Sequence, residues 1–137
     1  MRMRKLAATA VGALALGTLG LPATAANATS YPTVGYRIDV GATYSAGTVT
    51  FYNRSLKIVG GDHSVSASDC RATSATEYPN TGNLAFSNGI CNGNETWTLN
   101  LDDNVPGGPS YADICLDAFT PGDTTTHHVK CTYVFRP

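Results

Sequence analysis

Short stretches of alternating apolar and polar residues recur through residues 26–137, and apolar residues never repeat there at helical spacing. In the clearest stretch, Thr96–Leu101, the residues Trp97, Leu99 and Leu101 alternate with polar ones. A period of two places successive side chains on opposite faces of a β-strand. Turn residues separate the stretches at roughly eight to twelve positions. We predict an all-β fold, a small antiparallel β-sandwich of about seven to nine short strands, with a small closed barrel as the alternative.

The end of the chain predicts a β-hairpin. Tyr111–Phe119 and His127–Phe135 flank a loop, residues 120–126, that contains Pro and Gly. Four residues of the second strand share one face, which we expect to be buried: Val129, Cys131, Tyr133 and Phe135.

Residues 1–25 predict a signal peptide that directs the chain out of the cytoplasm. The segment has a basic start, a long uncharged run of Ala, Leu and Gly, and a small-residue cleavage site at Ala23-Thr24-Ala25. Cleavage as late as Ala28 is the alternative. The apolar run is too short and too diluted to span a bilayer well. We expect a secreted, extracellular protein with a flexible N-terminal segment, residues 26–33, and a single β-sandwich domain, residues 34–137.

The four cysteines all follow the predicted signal peptide, and an even number in an exported chain indicates two disulfides. Three pairings are possible. We favour Cys70–Cys91 and Cys115–Cys131, because each closes a short local loop, a constraint worth roughly 3 kcal/mol. A zinc site would need closely spaced cysteine pairs, which the chain lacks. We predict no metal site and no cofactor.

The charge of the exported chain disfavours nucleic acid as a partner. Three of the nine basic residues and none of the ten acidic ones lie in the signal peptide, so the remainder has a net charge of about −4. Its six basic residues are scattered, whereas proteins that bind phosphate backbones cluster them. Anionic membrane surfaces are disfavoured for the same reason.

No arrangement of residues predicts catalysis. A nucleophile elbow of the form G-x-S-x-G is absent. His127 and His128 are adjacent on a predicted strand and should point to opposite faces, while we expect His63, next to Asp62 and after Gly60-Gly61, to be a turn residue. Asp113 and Asp117 share a face, but strand geometry separates them by about 13 Å, too far for a glycosidase pair. We predict that the protein is not an enzyme.

Tyrosines are the best candidates for contact with a partner, because a tyrosine buries a large area and keeps a polar group. We expect Tyr36, Tyr52 and Tyr133 to pack the sheets. Those near predicted turns are surface candidates: Tyr31, Tyr44, Tyr78 and Tyr111. The loop residues Pro121, Gly122 and Asp123 are a further candidate contact.

The acidic cluster Asp102-Asp103-Asn104 leaves calcium binding open. Its hard oxygens suit the ion, but the spacing of an EF-hand loop is absent and such clusters also form ordinary turns.

Several runs of the chain resemble one family of secreted proteins. These runs are Thr48–Ser55, Leu56–Val59, Cys70, Leu99–Leu101 and Val105–Gly108. The Ala-rich signal, the Gly/Thr-rich remainder and the four cysteines are similar to small secreted proteins of actinomycetes. The runs resemble the small β-sandwich adaptor subunit of umbrella toxin particles, over about half of the mature chain. The hairpin after Tyr111 has no match in that pattern.

The resemblance implies a non-enzymatic adaptor that accepts a strand from a large stalk-forming toxin chain and presents a separate face to a lectin-like subunit. We therefore predict a secreted protein-binding module, an adaptor in an extracellular antibacterial toxin assembly. Its partner would be another secreted protein, and the processed chain would not span a membrane. A secreted hydrolase inhibitor that acts through the loop of residues 120–126 is the alternative. A carbohydrate-binding domain that uses exposed Tyr or Trp97 is a further alternative.

Overall fold

The structure, a computed structural model, describes residues 29–137. The predicted signal peptide and both of its candidate cleavage sites lie outside these residues. The described part of the chain forms eight β-strands and contains no helix. The strands are β1 (Thr33–Val40), β2 (Thr43–Phe51), β3 (Ser55–Ser64), β4 (Cys70–Tyr78), β5 (Leu84–Phe86), β6 (Gly93–Asp102), β7 (Tyr111–Phe119) and β8 (His127–Phe135). This confirms the all-β prediction, and β1 begins one residue before the expected domain boundary at residue 34.

The strands form two separate four-stranded antiparallel sheets rather than one closed barrel. The first sheet has the order β1-β2-β3-β6 and the second has the order β5-β4-β7-β8. The inner faces of the two sheets meet in a shared apolar core, as expected for a sandwich. In residues 29–137 no helix has the length and apolarity needed to cross a membrane.

The core confirms the alternation seen in β6, because Trp97, Leu99 and Leu101 are all buried between the sheets. Burying each such large apolar side chain contributes about 1.5–3 kcal/mol. Gly60 lies opposite Trp97 on β3, and a Cβ atom there would lie 2.8 Å from Cη2 of the indole. The inner face of β3 can therefore hold no side chain at this position. The largest fully buried apolar side chains are Phe51, Ile38, Leu56, Ile58, Ile114, Leu116 and Val49.

One part of the interior is polar, and a chain of hydrogen bonds satisfies it. The Tyr36 hydroxyl lies 3.2 Å from Ser45 Oγ, and Ser45 Oγ lies 2.6 Å from Thr73 Oγ1. Thr73 donates to Asp62 Oδ1 at 2.6 Å, and Ser87 donates to Asp62 Oδ2 at 2.9 Å. Both oxygens of this buried carboxylate therefore have donors, as burial of a charged group requires.

Both predicted disulfides are confirmed. Cys70–Cys91 ties the start of β4 to the segment before β6, where Arg71 and Ile90 also exchange backbone hydrogen bonds. Cys115 and Cys131 lie directly opposite each other on β7 and β8, with their Cα atoms 4.0 Å apart. The second bridge thus holds the edge strand β8 to β7 by a covalent bond.

Candidate functional site

The outer face of the second sheet carries side chains that the core does not need. Ala112, Ile114 and Leu116 of β7 point inward and are fully buried, so Tyr111 and Asp113, which alternate with them, point outward. Strand register then sets their neighbours. Tyr111 lies between Tyr78 of β4 and Phe135 of β8, and Asp113 lies opposite Tyr133.

Four rings in this register form a cluster that we call the aromatic face: Tyr78, Tyr111, Tyr133 and Phe135. Tyr111 stands at its centre and is half-buried, stacked on Tyr78 with ring centroids 5.0 Å apart and planes 5° apart. Its centroid lies 5.6 Å from that of Tyr133 and 5.4 Å from that of Phe135. The three outer rings are 46, 59 and 63 % exposed for Tyr78, Tyr133 and Phe135. The rings of the aromatic face therefore expose a large apolar area to solvent in one fixed arrangement.

The predicted burial of one face of β8 is wrong. Cys131, Tyr133 and Phe135 do share a face, but that face is the outer one, and all four residues of the prediction, including Val129, are exposed. On the inner side only Val134 is buried. β8 is an edge strand, and the side of it that faces the first sheet carries Lys130 and Thr132 besides Val134, with Lys130 Nζ donating to the Asp39 carbonyl of β1 at 3.2 Å. Tyr133, which we expected to pack the sheets, belongs to the aromatic face instead.

A groove continues from the aromatic face across the second sheet. Leu84 and Phe86 of β5, each about half exposed, form one wall. Thr126 and His128 form the other wall, over a floor made by Ser74, Thr76, Asp113 and Cys115. A second depression adjoins it at Phe86 and Thr126 and reaches Phe119, Asp123 and Thr124. Sequence analysis missed Leu84 and Phe86, because turns flank this three-residue strand and nothing in its pattern distinguishes the outer face.

Asp117 and His128 form a close pair at one end of the groove. A register shift between Leu116 and Asp117 leaves Val129 without a partner on β7 and brings His128 opposite Asp117. The distance from His128 Nδ1 to Asp117 Oδ1 is 2.5 Å, and the Asp117 side chain is fully buried while that of His128 is exposed. Burial raises the pKa of the nearby Asp113 carboxyl, and His128 partly offsets this rise.

The pair does not form a nucleophilic or metal site with its neighbours. Among residues 29–137, one group of three possible metal ligands lies close together: Cys115, His128 and Cys131. The two sulfur atoms are bonded to each other, so neither is the thiolate that a metal or a nucleophilic mechanism requires. His128 is therefore a polar, titratable group on the groove wall.

The predicted contact loop lies at the other end of β7 and β8, about 26 Å from the aromatic face. Pro121, Gly122 and Asp123 are all exposed. Asp123 N–H donates to the Thr120 carbonyl at 3.0 Å, and Thr125 donates to Asp123 Oδ1 from N–H at 3.0 Å and from Oγ1 at 2.8 Å. These bonds to Thr125 lower the pKa of Asp123. Gly122 has a φ of 85°, which suits glycine, so the loop has a defined conformation.

Tyr44 lies on the opposite side of the molecule. It alternates on β2 with the buried Thr43 and Ser45 and therefore faces outward from the first sheet. Its ring stacks on His63 with centroids 5.2 Å apart, and the guanidinium carbon of Arg37 lies 4.2 Å from its centroid. The structure thus brings Tyr78 and Tyr111 together and leaves Tyr44 apart from them.

Within the part of the chain that the structure describes, the outer edge of β8 has no strand paired to it beside the aromatic face. Arg136 N–H donates to the Ser110 carbonyl at 2.9 Å, and the 4.0 Å Cα separation at Cys115–Cys131 fits a pair that is not hydrogen-bonded. Since hydrogen-bonded pairs alternate along an antiparallel ladder, Thr132 and Val134 bond to β7. Cys131, Tyr133 and Phe135 direct their N–H and C=O groups outward.

Comparison of the chain with models of protein families, with curated proteins and with solved structures found no match.

Proposed function

We propose that this protein is a secreted, non-catalytic protein-binding module that binds an extended segment of another secreted protein along β8. The observation that carries the proposal is the coincidence of two features on one strand. β8 has both exposed aromatic side chains and unpaired backbone groups, at Tyr133 and Phe135. Exposed apolar patches of this kind are typical of interaction surfaces.

An extended segment of the partner fits this edge better than a folded surface does. The exposed aromatic side chains and the outward backbone groups of β8 both recur at every second residue, which is the period of a strand. A partner strand would pair with the outward N–H and C=O groups of Cys131, Tyr133 and Phe135. Its own side chains on the outer side would then lie beside the rings of Tyr133 and Phe135. Backbone pairing would supply affinity, and the aromatic contacts would supply specificity.

The adaptor hypothesis requires a second binding surface in addition to the edge of β8. Export, a net charge of about −4 after processing, and the resemblance to umbrella toxin adaptors support a role in an extracellular antibacterial toxin assembly. The large toxin chain would supply the strand bound at β8. The outer face of the first sheet around Tyr44 would be free for a lectin-like subunit.

Affinity capture from the culture supernatant of the producing organism tests the proposal. The wild-type protein should co-elute with one large secreted chain in stoichiometric amount, identified by mass spectrometry. Tyr133→Ala should weaken this binding at least about tenfold, whereas Tyr44→Ala on the opposite sheet should leave it unchanged. Equal loss in both variants, or recovery of the protein alone, would contradict the proposal.

Two variants at position 133 separate backbone pairing from side-chain contact. Tyr133→Ala and Tyr133→Pro both remove the ring, but only the proline removes the outward N–H, and proline is tolerated where that group faces solvent. We expect weaker binding by the proline variant than by the alanine variant. Equal affinities would limit the interaction to side chains.

The inhibitor hypothesis keeps one specific observation in its favour, the hydrogen-bonded and fully exposed loop at Pro121–Asp123. A preorganised loop loses little entropy on binding a hydrolase. Inhibition of a secreted protease or glycosidase that is lost on replacing Pro121-Gly122-Asp123, but kept in Tyr133→Ala, would favour it.

For the carbohydrate hypothesis, Trp97 is buried and offers no platform, so glycan binding would have to depend on Tyr111 or Tyr44.

A further inference from the structure

Two buried carboxylates lie between the sheets at the end of the sandwich that carries the aromatic face. Glu77 of β4 is 1 % exposed and lies opposite the inward-facing Ala112. Asp103 directly follows β6 and is 0 % exposed, on the same side as the buried Leu101. Both side chains are therefore removed from water, a costly position for two acids.

Each of these carboxylates has one oxygen with a donor and one without. Asn83 Nδ2 donates to Glu77 Oε1 at 2.8 Å, and Val105 N–H donates to Asp103 Oδ1 at 3.0 Å. Glu77 Oε2 and Asp103 Oδ2 are both buried and accept no hydrogen bond from residues 29–137. The buried Asp62 differs from both acids, because each of its two carboxylate oxygens accepts a hydrogen bond.

The two acids are close in space, and within residues 29–137 neither of them forms an ion pair with a cationic side chain. A single nitrogen, Nδ2 of Asn83, donates both to Glu77 and to the Asp102 carbonyl, which precedes Asp103. Burial raises the pKa of the Glu77 carboxyl, and the charges of Asp103 and Asp102 raise it further. The ion pairs formed in the described chain involve other acids, and Arg54 nearby reaches the Asn104 carbonyl instead.

We propose that Glu77 and Asp103 bind a calcium ion that closes this end of the sandwich. Carboxylate oxygens are the ligands that this hard cation prefers, and its flexible coordination accommodates donors from a strand end and a loop. The exposed carboxylate of Asp102 lies at an opening lined by Asn100 and by Asn83, the residue that donates to Glu77. Magnesium is disfavoured, because it demands near-ideal octahedral geometry. This inference is independent of the proposed function.

Calorimetric titration of the purified, metal-stripped secreted protein with calcium chloride is the first test. We expect one ion per chain. At a hundredfold excess over the dissociation constant, calcium should raise Tm by about 5–15 °C relative to EDTA, with a smaller rise for magnesium. Absence of heat, together with equal Tm values in EDTA and in millimolar calcium, would overturn the proposal.

Variants assign the site to its residues. Glu77→Gln and Asp103→Asn should each weaken calcium binding at least tenfold, while Glu95→Gln, a partly buried acid at the other end of β6, should leave it unchanged. Binding that survives in both site variants would place the ion elsewhere and overturn the assignment. A Tm in EDTA that rises as pH falls from 7 to 5, with no effect of calcium, would show that the two acids share a proton instead.

Discussion

The two outer faces of the sandwich are built from the same alternating pattern but present different chemistry. The first sheet exposes mainly Thr, Asn, Asp and Arg along β1, β2 and β6, with Val59 of β3 as its exposed large apolar side chain among the described residues. The second exposes Tyr78, Tyr133 and Phe135 together. The inner faces of both sheets line the same core, which does not require this difference between the outer faces. Exposed aromatic residues that contribute little to folding are best explained by binding.

The largest expected effect tests whether the inner faces of the two sheets contribute equally to stability. Ile58 of the first sheet and Ile114 of the second are both fully buried in the core. Ile58→Ala and Ile114→Ala should each lower the free energy of unfolding by about 2–5 kcal/mol, because each leaves a cavity between the sheets. Urea unfolding measures both. A much smaller loss for Ile114→Ala would mean that the second sheet depends on its outer face for stability.

A smaller effect sharpens the contrast between the outer faces. Tyr133→Ala and Tyr44→Ala should each change the free energy of unfolding by less than about 1 kcal/mol, because both positions face outward. Their effects on partner affinity should nevertheless differ at least tenfold, as argued above for the captured chain. Titration of the two variants with the purified partner checks this. A large stability loss in Tyr133→Ala would mean that the ring supports the fold.

The smallest effect concerns Asp113, opposite Tyr133 on the second sheet. Because burial raises its pKa in the folded state, the protonated form is favoured on folding. Its stabilising contribution is complete below the ordinary Asp pKa and is lost as pH rises through the folded-state value. Asp113→Asn should therefore be more stable than wild type at pH 7 by a few tenths of a kcal/mol, since the group is partly solvated, and this gain should vanish near pH 3. Urea unfolding at the two pH values measures it, and a gain that is equal at both would contradict the assignment.

Local pattern predicted the all-β class and part of the strands. Alternation predicted β6, the hairpin pattern predicted β7 and β8, and the short loops between cysteines predicted both disulfides, because these features depend on neighbours in sequence. The turn expected at His63 is wrong, because β3 continues to Ser64, and most of β4 was not predicted. The side of β8 that faces the core depends instead on which strand lies at the sheet edge, a property of the whole topology. That is why the exposure of Tyr133 and Phe135 was predicted wrongly.

The candidate site residues also divide into those that local pattern predicted and those whose position depends on the whole topology. Tyr78, Tyr111 and the Pro121–Asp123 loop were predicted to lie at the surface near turns, and the second sheet carries them all. Tyr44 matched the same pattern, yet it lies on the other sheet, because proximity to a turn does not determine sheet membership. The sequence did not indicate Glu77 as a site residue. Asp103, its neighbour in space, is distant from it in sequence, and only the packing of the two sheets brings the two residues together.

In the proposed binding mode, the Cys115–Cys131 bridge has a mechanical consequence. A strand bound along β8 and pulled along its axis would load β8 in shear. The disulfide passes that force to β7 through a covalent bond, and β7 is anchored in the middle of its sheet. The partner strand, held by hydrogen bonds alone, would slip off before β8 tore away. Under load the weakest link would therefore be the contact between the two proteins, and the module would survive to bind again.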